Sequence, residues 1–166
     1  LSFVQFVIDD KGGIDMAREE TVWEYTKQAG YEPLEGRTII VRPAPDNLSS
    51  KVVQFFRWAS DLYALQMCEN ELVCLPFDPN WTTLRKEVPL VVPYQDIESV
   101  DFSDDLLNTV VDLHTQNGDI KFTTQQEALS NCRISGAYAT QFVGGPKNWH
   151  KDNIKATLEA LGNLGA

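Results

Sequence analysis

The side chains best suited to chemistry are few and scattered. The 166 residues hold two histidines, His114 and His150, and three cysteines, Cys68, Cys74 and Cys132. A thiol nucleophile needs a base within hydrogen-bond reach, and no spacing brings Cys132 to either histidine. Structural zinc sites are built from closely spaced Cys and His pairs, which this chain lacks. No Walker A loop, dinucleotide-binding glycine pattern or H-E-x-x-H helix occurs, and Ser135 stands in Arg-Ile-Ser-Gly-Ala rather than in a nucleophile elbow. No catalytic residue, metal or cofactor is therefore expected. Both histidines are expected at the surface or at a helix cap, and Cys74 as a small buried hydrophobe.

Three further groups invite a chemical reading. Asp101-x-Ser103-x-Asp105, with Asp112 at the twelfth position, has the outline of a calcium loop. Such a loop needs Gly at its sixth position and usually Glu at its twelfth; here the sixth is Leu106, so an acidic, solvated turn is expected. Asp9, Asp10, Asp15, Glu19, Glu20 and Glu24 are expected to line a solvated helix face. Trp81, Arg85 and Lys86 share a polar loop, and Trp and Arg are the residue types enriched at binding hot spots. These three are the candidate ligand-binding residues.

Composition narrows the partners. With 24 acidic against 14 basic side chains and a net charge of −10, nucleic acid and anionic membranes are poor partners, because both demand clustered positive charge. The nearest basic residues, Lys51, Arg57, Arg85 and Lys86, are dispersed. An odd cysteine count argues against a disulfide framework. Leu1 to Gly13 carry neither a basic start nor a long apolar stretch, so no leader is expected there, and the chain reads as cytoplasmic. Two sequons occur, at Asn47 and Asn80, where chance supplies about one, so they decide little.

The elements that would position these residues follow from periodicity. Residues 3–8 and 37–41 read as strands. Val22, Tyr25, Thr26 and Ala29 recur at helical spacing after Asp15 as cap, with Gly30 as the stop. Val52, Phe55, Phe56, Ala59 and Leu62 predict a helix over 50–60. Residues 62–67 and 72–77 predict a hairpin turning at 68–71. Val88–Pro93 reads as a short strand, limited by its prolines to an edge or a strand end, and 97–102 is a further strand. Residues 107–115 alternate, and Asn117-Gly118 predicts a type I′ turn. That turn would set Leu113 opposite Phe122, Thr115 opposite Ile120 and His114 opposite Lys121. One more strand fits within 137–143. Ile154, Leu158 and Leu161 share a face of a helix over 150–161, with Trp149 before its cap packing on Ile154 as a hydrophobic staple. Leu113, Phe122, Ile154, Leu158 and Leu161 are expected in one core.

The stretch Val92-Pro93-Tyr94-Gln95-Asp96-Ile97-Glu98-Ser99-Val100 resembles a strand-ending pattern, close to I-P-Y-x-D-I-x-S-V, of bacterial pleckstrin-homology-like (PH-like) domains. There it precedes a hairpin and a C-terminal helix, the order found here over roughly 60–162. The resemblance implies an α+β fold: a strongly bent antiparallel PH-like β-barrel or sheet with a C-terminal amphipathic helix. Residues 61–166 would form that domain, and 1–60 an added N-terminal α/β extension, free to pack on it. It further implies a non-catalytic binding or scaffolding module. Since the basic cluster of lipid-binding PH domains is missing, a protein segment or peptide is the expected partner. The alternatives are a small enzyme with a site between the acidic N-terminal helix and the barrel, and a homo-oligomer joined through an edge such as 88–93.

Overall fold

The computed structural model describes residues 18–44, 62–78, 83–88, 90–129, 139–141 and 147–165. The strand expected at 3–8, the cap at Asp15, the helix over 50–60, both sequon asparagines, Cys132, Trp81, Lys51 and Arg57 lie outside them. Helix α1 spans Glu19–Gln28. Seven strands follow: β1 Pro33–Pro43, β2 Tyr63–Cys68, β3 Glu71–Pro76, β4 Leu90–Pro93, β5 Ile97–Asp105, β6 Asn108–Thr115 and β7 Gly118–Gln125. A 3-10 turn at Tyr94–Asp96 joins β4 to β5. The two-residue strands β8 Thr140–Gln141 and β9 Lys147–Asn148 pair with each other, and helix α2 spans Trp149–Gly162. The sheet order is β4-β3-β2-β1-β7-β6-β5, antiparallel throughout. The fold is thus α+β, and β1, from the first sixty residues, is its central strand.

Burial follows the sequence pattern strand by strand. β2 and β3 read as nearly continuous apolar runs, and every residue from Tyr63 to Cys68 is buried. Their alternate side chains feed two cores. Leu65, Met67, Leu72 and Cys74 join Leu113, Phe122, Ile154 and Leu161 on one face, with Leu158 half-buried beside them. Ala64, Cys68, Val73, Leu75 and Phe77 join Val22 of α1, Ile40 and Trp149 on the other. β6 and β7 alternate instead: Val111, Leu113, Thr115, Ile120, Phe122 and Thr124 are buried, and the residues between them face outward. The five residues expected in one core do meet there, with Leu158 at its rim.

Three expectations are corrected. The β6–β7 turn is Gln116–Asn117, with Thr115 opposite Gly118, so Leu113 faces Ile120, Val111 faces Phe122 and His114 faces Asp119. Asn117 does not take the positive φ that a type I′ turn requires; only Gly118 does, at 123°. The Thr115 hydroxyl holds this turn, accepting from the Asn117 N–H at 3.2 Å and donating to the Gly118 carbonyl at 2.6 Å. The pairing shifts by an even step, so the buried face is unchanged. Second, Trp149 is the first helical residue rather than a staple before the cap. Asn148 caps α2 by accepting the Lys151 N–H at 3.0 Å, and the indole is buried in the second core. Third, α1 starts with Arg18 at its N-cap, three residues beyond Asp15, and without a side-chain cap.

Helix α2 substitutes for strand pairing at the middle of the sheet. β1 meets β7 only from Val41 to Pro43. Earlier in β1, α2 supplies the partners: Asn153 Nδ2 donates to the Thr38 carbonyl at 3.0 Å, and the Ile40 N–H donates to His150 Nδ1 at 2.9 Å. Buried backbone groups demand partners, so the seam holds only with the helix docked.

Candidate binding surface

Of the three candidate loop residues, Arg85 and Lys86 are described, and both make local contacts. Arg85 is half-buried, lies 3.8 Å from Glu87, and its N–H donates to the Pro76 carbonyl at 2.9 Å. The Lys86 ammonium sits 5.4 Å from the centre of the Tyr25 ring, a cation–π contact. Both cations thus have local partners.

His150 departs from the expected surface or cap position, whereas His114 keeps its place on the outer face of the hairpin with different neighbours. His150 is fully buried. Ile40 and Gln125 would be the next pair of the β1–β7 ladder, and the imidazole is inserted between them. Nδ1 accepts from the Ile40 N–H, so Nε2 carries the proton and donates to the Gln125 carbonyl at 3.1 Å. Burial pushes its pKa down to about 4, with the Gln125 carbonyl acting weakly the other way. It is a structural ladder element, not a surface or cap group. The signal for it was helical spacing: His150, Asn153, Thr157 and Leu161 form one buried stripe of α2.

His114 is partly exposed on the outer face of β6, between two carboxylates. Nδ1 lies 2.9 Å from Asp119 Oδ1 and Nε2 lies 3.0 Å from Asp101 Oδ2. Both nitrogens can donate only in the imidazolium, so the Asp119 contact first, and Asp101 next, raise its pKa. Lys121, expected beside His114, instead reaches Asp112 at 3.4 Å. Asp112, His114 and Asp119 could offer three ligand atoms to a cation, and the Lys121 ammonium already reaches the Asp112 carboxylate. Asp101 to Asp105 lie in strand β5, not in a calcium-type turn.

Glu19 corrects the solvated helix face. It is 2 % exposed, and its Oε1 accepts from Asn153 Nδ2 at 2.7 Å. Burial raises its pKa, opposed by the hydrogen bond from Asn153. The Thr38 hydroxyl donates to Gln66, whose amide donates to the Leu34 carbonyl at 2.8 Å. The cluster ties α1, β1, β2 and α2 together. No local pattern in the sequence announces it, because Glu19 and Asn153 lie at opposite ends of the chain.

What remains open is the β5 side. β5 is an edge strand, paired with β6 alone among the described residues. Asp101 to Leu107 are all exposed. Phe102 is 41 % exposed, and Leu106, at the first position of the two-residue β5–β6 loop, is 92 % exposed. Leu106 also holds φ at 53°, a region that costs an L-residue about 1–2 kcal/mol. A turn with positive φ at its first loop position favours Gly there. This residue thus satisfies neither backbone nor burial, a combination that collects at functional sites. No helix among the described residues is long and apolar enough to cross a membrane. Compared with models of known protein families and with curated proteins, the chain matches none.

Proposed function

We propose that this chain is a non-catalytic binding module of PH-like architecture that takes up a protein segment along the free edge of β5. The observation that carries the reading is a nine-residue edge strand whose last five residues are exposed and whose outer side has no partner among the described residues. Such an edge offers a row of backbone donors and acceptors to an extended chain. The PH-like part is supported by order: the 92–100 motif spans the β4–β5 junction, and the β6–β7 hairpin and α2 follow it.

The enzymatic alternative would use Glu19, the shifted carboxyl between α1 and the sheet. A general acid must come within hydrogen-bond reach of its substrate, and a carboxyl 2 % exposed and bonded to Asn153 does not. A membrane role would need several cations together, each worth about 1 kcal/mol near an anionic surface. Arg85 and Lys86 are instead engaged by Glu87 and Tyr25.

The test is amide chemical-shift mapping with a pool of short extended peptides. Shifts on Val100 to Asp105 are expected. Shifts confined to 83–88 would move the site to the loop. Sedimentation with anionic but not neutral liposomes, lost in Arg85→Ala/Lys86→Ala, would replace the proposal with a membrane role.

A further inference from the structure

The pairing of β5 with β6 assigns each β5 side chain to a face. Val100 and Phe102 lie opposite Leu113 and Val111, on the side of the first core. Asp101, Ser103 and Asp105 lie opposite Asp112, Val110 and Asn108, on the outer side with His114. A strand added along the open edge would meet the same alternation: carboxylates at Asp101 and Asp105 on one face, and the exposed ring of Phe102 with Asp104 on the other.

The usable edge has a defined start. Gly165, in the turn after α2, lies so close to β5 that a Cβ there would stand 2.5 Å from the Glu98 carbonyl oxygen. The C-terminal turn therefore covers the beginning of the strand, and Val100 to Asp105 remain, about 20 Å of extended chain at the usual strand rise. Over this stretch the charge is negative and only partly balanced. Asp101 shares His114 with Asp119, whereas Asp104 and Asp105 have no ion-pair partner among the described residues.

These carboxylates sort potential occupants. A second copy of β5, laid antiparallel about Ser103, would set Asp101 against Asp105, and like charges directly opposite destabilise a strand pair. A basic segment would gain from the same positions. We propose that the β5 edge selects extended segments carrying Lys or Arg at alternate positions, opposite Asp101 and Asp105, with an apolar residue between them for Phe102. This inference rests on the strand-addition reading above and names the chemistry of its ligand.

The experiment uses fluorescein-labelled nine-residue peptides with Lys at alternate positions and Val or Thr between, against the same peptides with Glu for Lys. Binding to the full chain is followed by anisotropy at low and high salt. The Lys series should bind at least about tenfold tighter at low salt, an advantage that shrinks as salt screens it. Asp101→Asn/Asp105→Asn should remove most of it, whereas Asp104→Asn, on the Phe102 face, should leave most of it in place; all three side chains are exposed, so the thermal midpoint should stay close to that of the unsubstituted chain. N-methylation of one alternate set of peptide amides should abolish binding while the other set is tolerated, because only every second amide faces a neighbouring strand. Equal or Glu-preferring binding that retains this N-methyl pattern would overturn the charge inference and leave strand addition standing. Lys-peptide binding insensitive to either N-methyl set would overturn strand addition itself. Binding of neither series would overturn both.

Discussion

His150 and His114 each bridge two hydrogen-bond partners, yet their surroundings give them opposite chemistry. His150 sits where α2 plugs the sheet, between a backbone donor and a backbone acceptor, and must be neutral to serve both. His114 sits on the outer face of β6 between two carboxylates and serves both only when charged. The difference belongs to the halves of the sheet that hold them. Among the described residues, β1 to β3 are covered on both faces by the two cores, whereas β5 to β7 are covered on one. Covered strands leave little room for charge or for a ligand. The other half displays acidic side chains and an edge with no partner among the described residues.

Four experiments would break or sharpen this contrast. The largest effect is expected from truncation. Trp149→Ala removes a fully buried indole and should cost about 3–5 kcal/mol, whereas Phe102→Ala, whose ring is 41 % exposed and rests on Gly162 of α2, should cost only about 1 kcal/mol. Chemical denaturation of both variants checks the pair, and equal losses would erase the distinction between the halves.

Next is the acid response of His150. Its folded pKa of about 4 lies below the ordinary value of about 6.5. The unfolded chain therefore takes up the proton first, and stability falls as pH drops from about 6.5 toward 4. By pH 4 the loss attributable to this residue should be about 3 kcal/mol. His150→Gln should be less stable at pH 7 but flatter across that window, as read by denaturation midpoints against pH. A variant that keeps the wild-type slope would remove His150 as its cause.

A smaller effect, of opposite sign, is expected at the loop. Leu106→Gly relieves a positive φ without uncovering buried surface, and should raise stability by about 1 kcal/mol. A drop in the thermal midpoint would mean that the leucine packs against something that stabilises it.

The smallest effect concerns His114. Its raised pKa means that its contribution is fully present below about pH 6.5 and fades as pH rises through the folded value. NMR titration should show the His114 pKa falling in Asp119→Asn and falling less in Asp101→Asn, following the order of their influence. A pKa unmoved in both would detach the imidazole from its carboxylates.

Much of this fold is legible in the residues alone. Nearly continuous apolar runs at 63–68 and 71–76 require cover on both faces, and both strands have it. The alternation of 108–125 assigns inner and outer faces even where the turn is misjudged, because the pairing shifted by an even step. The β5–β6 loop was less legible. The acidic run at 101–105 suggested a turn, whereas Leu106 and Leu107 make it, with Leu106 in a conformation that leucine disfavours.

Side-chain period is a local property of the backbone, so the sequence by itself determined the strands, their buried faces and the amphipathic terminal helix. Its acidic composition likewise determined the sign of the open surface. Only the tertiary structure decided that β1 parts from β7 after three pairs, and that His150 and Asn153 of α2 complete its hydrogen bonds. The same holds for Glu19, which sits buried against Asn153 rather than in solvent. A polar side chain is equally at home in water or in a saturated interior site. Which one it occupies depends on donors and acceptors more than a hundred residues away, and no periodicity encodes those.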